Sequence, residues 1–162
     1  MNVNFRPARW EDLPEILSIY ARARQFMKDT GNPTQWGDTH PPEAAVRKDI
    51  ERQQSIVCEI YGSVEGVFYL ADGADPTYEI IEDGAWLSDA PYHTIHRIAS
   101  SGRVKGVFSL CVDWAHEHYG YLRIDTHHDN KVMQHLIAKK GFVRSGIIYQ
   151  PDGSPRIAYE LL

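Results

Sequence analysis

The sequence predicts an α/β protein built on a mixed, largely antiparallel sheet of roughly six to seven strands, with about four helices on its faces. Three observations carry that expectation. Apolar residues switch repeatedly between period-two and helical spacing along the chain. The second half holds a strand–helix–strand succession, which within one sheet requires a parallel crossover. Glycine-containing turns between apolar runs signal hairpins, whose strands pair antiparallel.

In order, Val3 to Phe5 reads as a short strand closed by Arg6-Pro7. Leu13, Ile16, Leu17, Tyr20 and Arg24 follow helical spacing, and Pro14 is tolerable because it lies near the helix start. "DTGNPTQWGDTHPP" is a loop punctuated by glycine and proline, with Trp36 in its middle. A short helix follows from Pro42, with Ala45, Val46 and Ile50 on its inner side. "SIVCEIY" and "VEGVFYLA" are strands joined around Gly62-Ser63. "PTYEII" either extends the second of these or starts another strand, and "HTIHRIAS" is a further one. Val104, Val107, Phe108, Cys111, Trp114 and Ala115 form a helical stripe, which places a helix start near Arg103 or Val104. "YLRIDTHH" alternates as a strand, and Val132, Met133, Leu136 and Ile137 mark a helix that stops at Gly141. "FVRSGIIYQ", the turn "PDGS" and "RIAYELL" make a terminal strand pair. No repeat or linker interrupts the chain, so one domain over residues 1–162 is expected.

Composition narrows the function classes. A formal charge of -5 argues against a nucleic-acid binder, whose domains carry a basic face. The only cysteines, Cys58 and Cys111, sit inside apolar runs and read as buried, reduced thiols. "MNVNFRPARWEDL" lacks the apolar core of a secretion signal, and no stretch approaches the roughly 20 apolar residues of a membrane span. A cytoplasmic protein without a membrane partner is expected.

Two segments carry chemistry. In "SSGRVKGVF", Gly102 and Gly106 keep side chains away from the main chain, so an anion could approach closely. The first-turn N–H groups of the following helix lack intrahelical partners and, with the helix dipole, favour negative charge. Arg103 and Lys105 add positive charge; the plain alternative is a strand-to-helix turn with solvated basic residues. The second segment, "RIDTHHDNKVMQHLIAKKGF", is another strand, polar turn and helix. Asn130 is placed to cap that helix and also presents an amide to a ligand lying across the sheet. Lys139 and Lys140 are surface charges that could face the same anion.

Together these segments resemble the two coenzyme-binding motifs of the GNAT superfamily of N-acetyltransferases. There, a strand leads into an Arg/Gln-x-x-Gly-x-Gly/Ala loop whose amides hold the pyrophosphate of acetyl-coenzyme A. A second strand then ends before Asn-x-x-Ala, and Gly-Phe closes the next helix. This chain has Arg103-Val104-Lys105-Gly106-Val107-Phe108, Asn130-Lys131-Val132-Met133 and Gly141-Phe142, in that order. The element order matches from "FRPARWEDLPEI" to the terminal strands, and "QWGDTHPP" and "IHRIAS" look like a mostly uncharacterised bacterial branch. The resemblance implies a central parallel pair of strands that splay apart, with pantetheine bonding the main chain of Ile98, Ala99 and Ser100. Three departures stand out. Phe108 replaces the small last residue of the loop, and Ile137 occupies the position where many members carry a tyrosine that protonates the departing thiolate. Met133 replaces the small residue after Asn130.

The implied reaction is direct transfer of acetyl from acetyl-coenzyme A to a primary amine of a small molecule or peptide, in a ternary complex. An amine of pKa about 10 must lose a proton before it attacks. His96 is the first candidate base, because imidazole titrates in the right range and lies just before the pantetheine contacts. Asp125 and His127, which share a face of the next strand under period-two alternation, are further candidates. Trp36 and Glu79 are candidates for the acceptor side, whereas Trp86 reads as packing. No histidine pair has a recognised zinc spacing, so no metal is expected. The other class of reading is an acyl-coenzyme A binding or sensing module that has lost turnover. The oligomeric state is open between monomer and homodimer.

Overall fold

The computed structural model describes residues 1–162. Its strands are β1 (Val3–Pro7), β2 (Ser55–Ile60), β3 (Ser63–Ala71), β4 (His93–Ser100), β5 (Leu122–Thr126), β6 (Val143–Tyr149) and β7 (Pro155–Leu161). The helices are α1 (Leu13–Asp29), α2 (Glu43–Glu51), α3 (Val107–Tyr119) and α4 (Lys131–Lys139). The strands form one seven-stranded sheet in the order β1-β2-β3-β4-β5-β7-β6. Only β4 and β5 run parallel; every other neighbouring pair is antiparallel. The mixed α/β architecture expected from the alternating periodicities is therefore present. None of the helices is long and apolar enough to cross a membrane.

Period-two alternation sorts the strand residues onto two packed layers. Val57 and Val67 pack with Ile16, Ile19 and Tyr20 of α1 and with Val46 and Ile50 of α2. Their neighbours Ile56, Cys58 and Phe68 pack with Cys111, Val112 and Ala115 of α3 and Ile137 of α4. Each fully buried aliphatic side chain contributes about 2 kcal/mol, so both layers are needed to hold the sheet. Cys58 and Cys111 are buried free thiols.

Two expectations are corrected. "PTYEII" forms no strand; Pro76–Tyr78 is a single 3-10 turn capped by the Asp75 side chain, which accepts from the Thr77 N–H. Proline at its start lacks an N–H and suits a turn, not a ladder. Helix α3 begins at Val107, later than the stripe implies, because Gly106 immediately before it adopts a left-handed conformation (φ 80°). Val104 still packs against the core, but from the turn.

A buried polar network, not foreseen in the sequence, pins the irregular segment between β3 and β4. Glu160 accepts from the Leu87 N–H at 3.0 Å, from Tyr121 Oη at 2.6 Å and from Ser145 Oγ at 2.5 Å. Arg123 donates to Tyr121 Oη and the Ser88 carbonyl and lies over the Trp86 and Tyr92 rings at 3.8 and 3.9 Å. Trp86 donates to the Tyr78 carbonyl at 2.9 Å, which confirms its packing role.

Candidate functional site

The site begins where the sheet comes apart. β4 and β5 pair only at His93 with Leu122 and Thr94 with Arg123. Beyond that point their ladder stops, although β4 continues to Ser100 and β5 to Thr126. The cause lies in β4. Its pairing with β3 runs from Tyr69↔His96 to Val67↔Ala99, so Phe68 faces both Arg97 and Ile98. That bulge places Arg97 at φ 51°, an unfavourable conformation for a residue with a side chain. Three contacts hold it there. The Arg97 guanidinium donates to Asp49 at 2.5 Å, lies over the Tyr69 ring, and its carbonyl accepts from Tyr20 Oη at 2.9 Å. Burial pushes the Asp49 carboxyl upward even with Arg97 beside it.

On one side of the gap lies a groove of about 270 Å³, lined by α1, the end of β4, the turn before α3, and α4. Ile98, Ala99, Ser100, Val107, Phe108, Asn130 and Met133 all line it. Gly102 and Gly106 both take φ 80°, and a side chain at Gly102 would strike the Arg22 guanidinium. The N–H groups of Val104 through Ser109 make no well-aligned hydrogen bond within the chain; the first ladder bond of the helix is Leu110 N–H to the Gly106 carbonyl. Such a run of free amides at a helix start is an anion cradle.

The basic residues of the turn divide. Lys105 is exposed and forms no ion pair. Arg103 is turned away: it donates to Glu65 at 2.8 Å, to Glu15 at 3.0 Å and to the Val64 carbonyl, so its charge is answered by carboxylates. Its expected direct role at a phosphate is replaced by that of a clasp joining the turn to α1 and β3. Arg22, from α1, takes the place beside the groove and donates to the Ser100 carbonyl. Lys139 is exposed and lines neither cavity, while Lys140 pairs with Asp113. Phe108 is half-buried, packing on the core with part of its ring while the rest forms groove wall. Asn130 caps α4, accepting from the Met133 N–H at 3.0 Å, and donates to Gln35.

On the other side of the gap is a cleft of about 600 Å³. Trp36, Tyr69, Asp75, His96, Arg97, Asp125 and Arg156 are among its lining residues, and Ile98, Asn130 and Met133 are shared with the groove. His96 Nε2 lies 3.1 Å from Asp75 Oδ2, and its ring stacks on Tyr69. Burial raises the Asp75 carboxyl, but bonds from His96 and Thr77 outweigh it and hold it at about 2. An ionised Asp75 fixes Nε2 as the protonated nitrogen and leaves Nδ1 with its lone pair. Trp36 is buried, meeting Tyr20 and His40 edge-on, and forms the outer wall.

The other proposed bases are placed differently. Asp125 lies in the cleft wall with one oxygen accepting from Tyr78 Oη at 2.6 Å and the other 3.8 Å from Arg156. His127 follows the end of β5, so it does not share a strand face with Asp125, and it lines neither cavity. Its Nδ1 accepts from the Asp129 N–H. His127, His128 and Asp129 bring their ligand atoms within 4.8 Å of one another. Glu79 is exposed and outside the cleft; the loss of the expected strand there moves the acidic role to Asp75. Asp75-Pro76-Thr77 is legible in sequence as a turn, but its reach to His96 is not. Ile137 is fully buried between α4 and the sheet, so α4 brings no hydroxyl to the gap.

No protein-family model matches the sequence, and no curated protein sequence does. Solved structures do. A GNAT-family acetyltransferase from Streptococcus agalactiae is 29% identical, with a TM-score of 0.90 over 99% of this chain and 95% of that one. A GNAT-family acetyltransferase from Listeria monocytogenes is 20% identical, with a TM-score of 0.70 over 98% of this chain and 94% of that one. The NatC complex, solved with Gag peptide and CoA, shares the fold at 12% identity and a TM-score of 0.61, covering 99% of this chain and 98% of that one. A split parallel pair, an amide cradle before α3, and likeness to the streptococcal protein over nearly its whole length give the chain the fold of the GNAT-family acetyltransferases.

Proposed function

We propose that the protein is an N-acetyltransferase that moves acetyl from acetyl-coenzyme A to a primary amine of a small molecule or peptide. The observation that carries this reading is the meeting of groove and cleft at Ile98, Asn130 and Met133, with the His96–Asp75 pair on the cleft side. The coenzyme lies in the groove, its pyrophosphate on the amides after Val104 with Lys105 adding charge, and its pantetheine arm along Ile98 to Ser100. The thioester reaches the gap where β4 and β5 part.

The acceptor enters beside Trp36. Nδ1 of His96 takes one proton from the ammonium, and Asp75 stabilises the imidazolium that results. The freed amine attacks the thioester carbon, forming the C–N bond. A main-chain N–H of β4 holds the oxyanion. Collapse breaks the C–S bond as the nitrogen gives up its second proton to water, and the thiolate, from a thiol of ordinary pKa about 8.5, is protonated by solvent because Ile137 offers no acid.

Thiol release from acetyl-coenzyme A across a panel of amines tests the reading. Amine-dependent release that is lost in His96→Ala, with coenzyme affinity retained, supports it. Tight coenzyme binding with no acetylation of any amine overturns it and favours a binding or sensing module, the reading that Ile137 favours.

A further inference from the structure

The cleft contains a second polar centre that the transfer chemistry leaves unused. Arg156, on β7, lines it with only 16% of its side chain exposed. Its nearest ionic neighbour is Asp125, at 3.8 Å and beyond hydrogen-bond length, and its Nε is buried without a partner. Arg6 and Arg97 share such an Nε, but the other largely buried arginines are engaged through hydrogen bonds that Arg156 lacks. Arg6 donates to Asp12 at 2.7 Å and 3.0 Å, Arg97 to Asp49 at 2.5 Å, and Arg123 to Tyr121 and Ser88. A guanidinium carries five N–H donors in a rigid fork, and withdrawing it from water without hydrogen bonds is costly.

We infer that Arg156 is the binding site for a carboxylate on the acceptor, so that the acceptor is an amino acid carrying a free carboxylate as well as the amine offered to His96. The inference rests on the acetyl-transfer reading for the identity of the amine. The fork geometry matches the two oxygens of a carboxylate. A dianionic phosphate fits less well, because Asp125 and Asp152 line the same cavity and Arg97 is already answered by Asp49. The Asp125 carboxylate, held by Tyr78, leaves the guanidinium oriented without satisfying it. The positive field at this wall is visible at His40, which burial holds below its ordinary value with help from Arg97, Arg156 and Arg24.

The test measures binding separately from turnover. N-acetyl-amino acids and their primary amides, as matched product pairs, are titrated into the wild-type protein and into Arg156→Gln and Arg156→Lys. Losing a charge-assisted hydrogen-bonded pair corresponds to about 10- to 100-fold in affinity. The acids are therefore expected to bind the wild type about 10- to 100-fold more tightly than the amides. Arg156→Gln abolishes that preference, and Arg156→Lys keeps part of it. Coenzyme affinity, read from the separate groove, checks that each variant is folded. Equal binding of acids and amides, no binding of any acid, or a preference that survives in folded Arg156→Gln overturns the inference. Carboxylate-selective binding without thiol release from any amine leaves this site standing and overturns acetyl transfer instead. Acetylation of neutral amines with no preference for carboxylates does the reverse.

Discussion

The groove and the cleft meet at the same gap in the sheet but are built from different materials. The groove offers main-chain N–H groups, presented by a turn and a helix start, together with apolar walls from α1 and α4. Its chemistry depends on backbone path, so many side chains could serve there, as Phe108 and Met133 illustrate. The cleft is made of side chains from separate elements: His96 on β4, Asp75 in a turn, Arg156 on β7 and Trp36 in the loop before α2. On the proposed reading, a common cofactor is held by common geometry, whereas the acceptor is selected by groups that can be exchanged individually.

Four substitutions probe that division. His96→Ala removes the proposed proton acceptor and should lower kcat about 10²- to 10⁴-fold while leaving the Kd for acetyl-coenzyme A within about twofold. A parallel loss of coenzyme affinity would show that the two halves are not separable. Asp49→Ala should destabilise the fold by about 3 kcal/mol in urea denaturation, because it strands the Arg97 charge and releases the bulge that opens the sheet.

Asp75→Asn has a pH signature. Its carboxyl is held at about 2, below the usual 3.8, so in the wild type it stabilises the native state above pH 3.8 and ceases to do so as pH falls through 2. Thermal unfolding should show the wild type ahead by about 1 kcal/mol at pH 6, with the difference vanishing near pH 2. The smallest effect belongs to Lys105→Gln, which should weaken acetyl-coenzyme A about three- to tenfold, most at low salt, and leave pantetheine lacking phosphates unaffected. An equal loss for both ligands would remove Lys105 from the phosphate site.

The groove was largely legible in the sequence because its signals are local. Gly102, Gly106 and Asn130 announce a turn and a cap within a few residues, and the following stripes announce α3 and α4. Even there the side-chain roles shifted. Arg103 reads as a phosphate ligand only until Glu65, 38 positions away, is brought against it. In the cleft, His96 and Trp36 could be named as candidates from their places on a strand and in a loop. Their partners could not. Asp75 lies 21 positions from His96, and Asp49 lies 48 from Arg97.

By itself the sequence determined the α/β class, the order of elements and the amide-lined turn, because hydrophobic periodicity and turn chemistry act over a few residues. The assembled fold alone sets where the sheet parts, after Thr94, that Arg97 bulges beyond it, and that Arg156 Nε is buried without a hydrogen-bonding partner. Those outcomes depend on which strands become neighbours and which charges meet across them. Contacts so distant along the chain leave no local pattern to read.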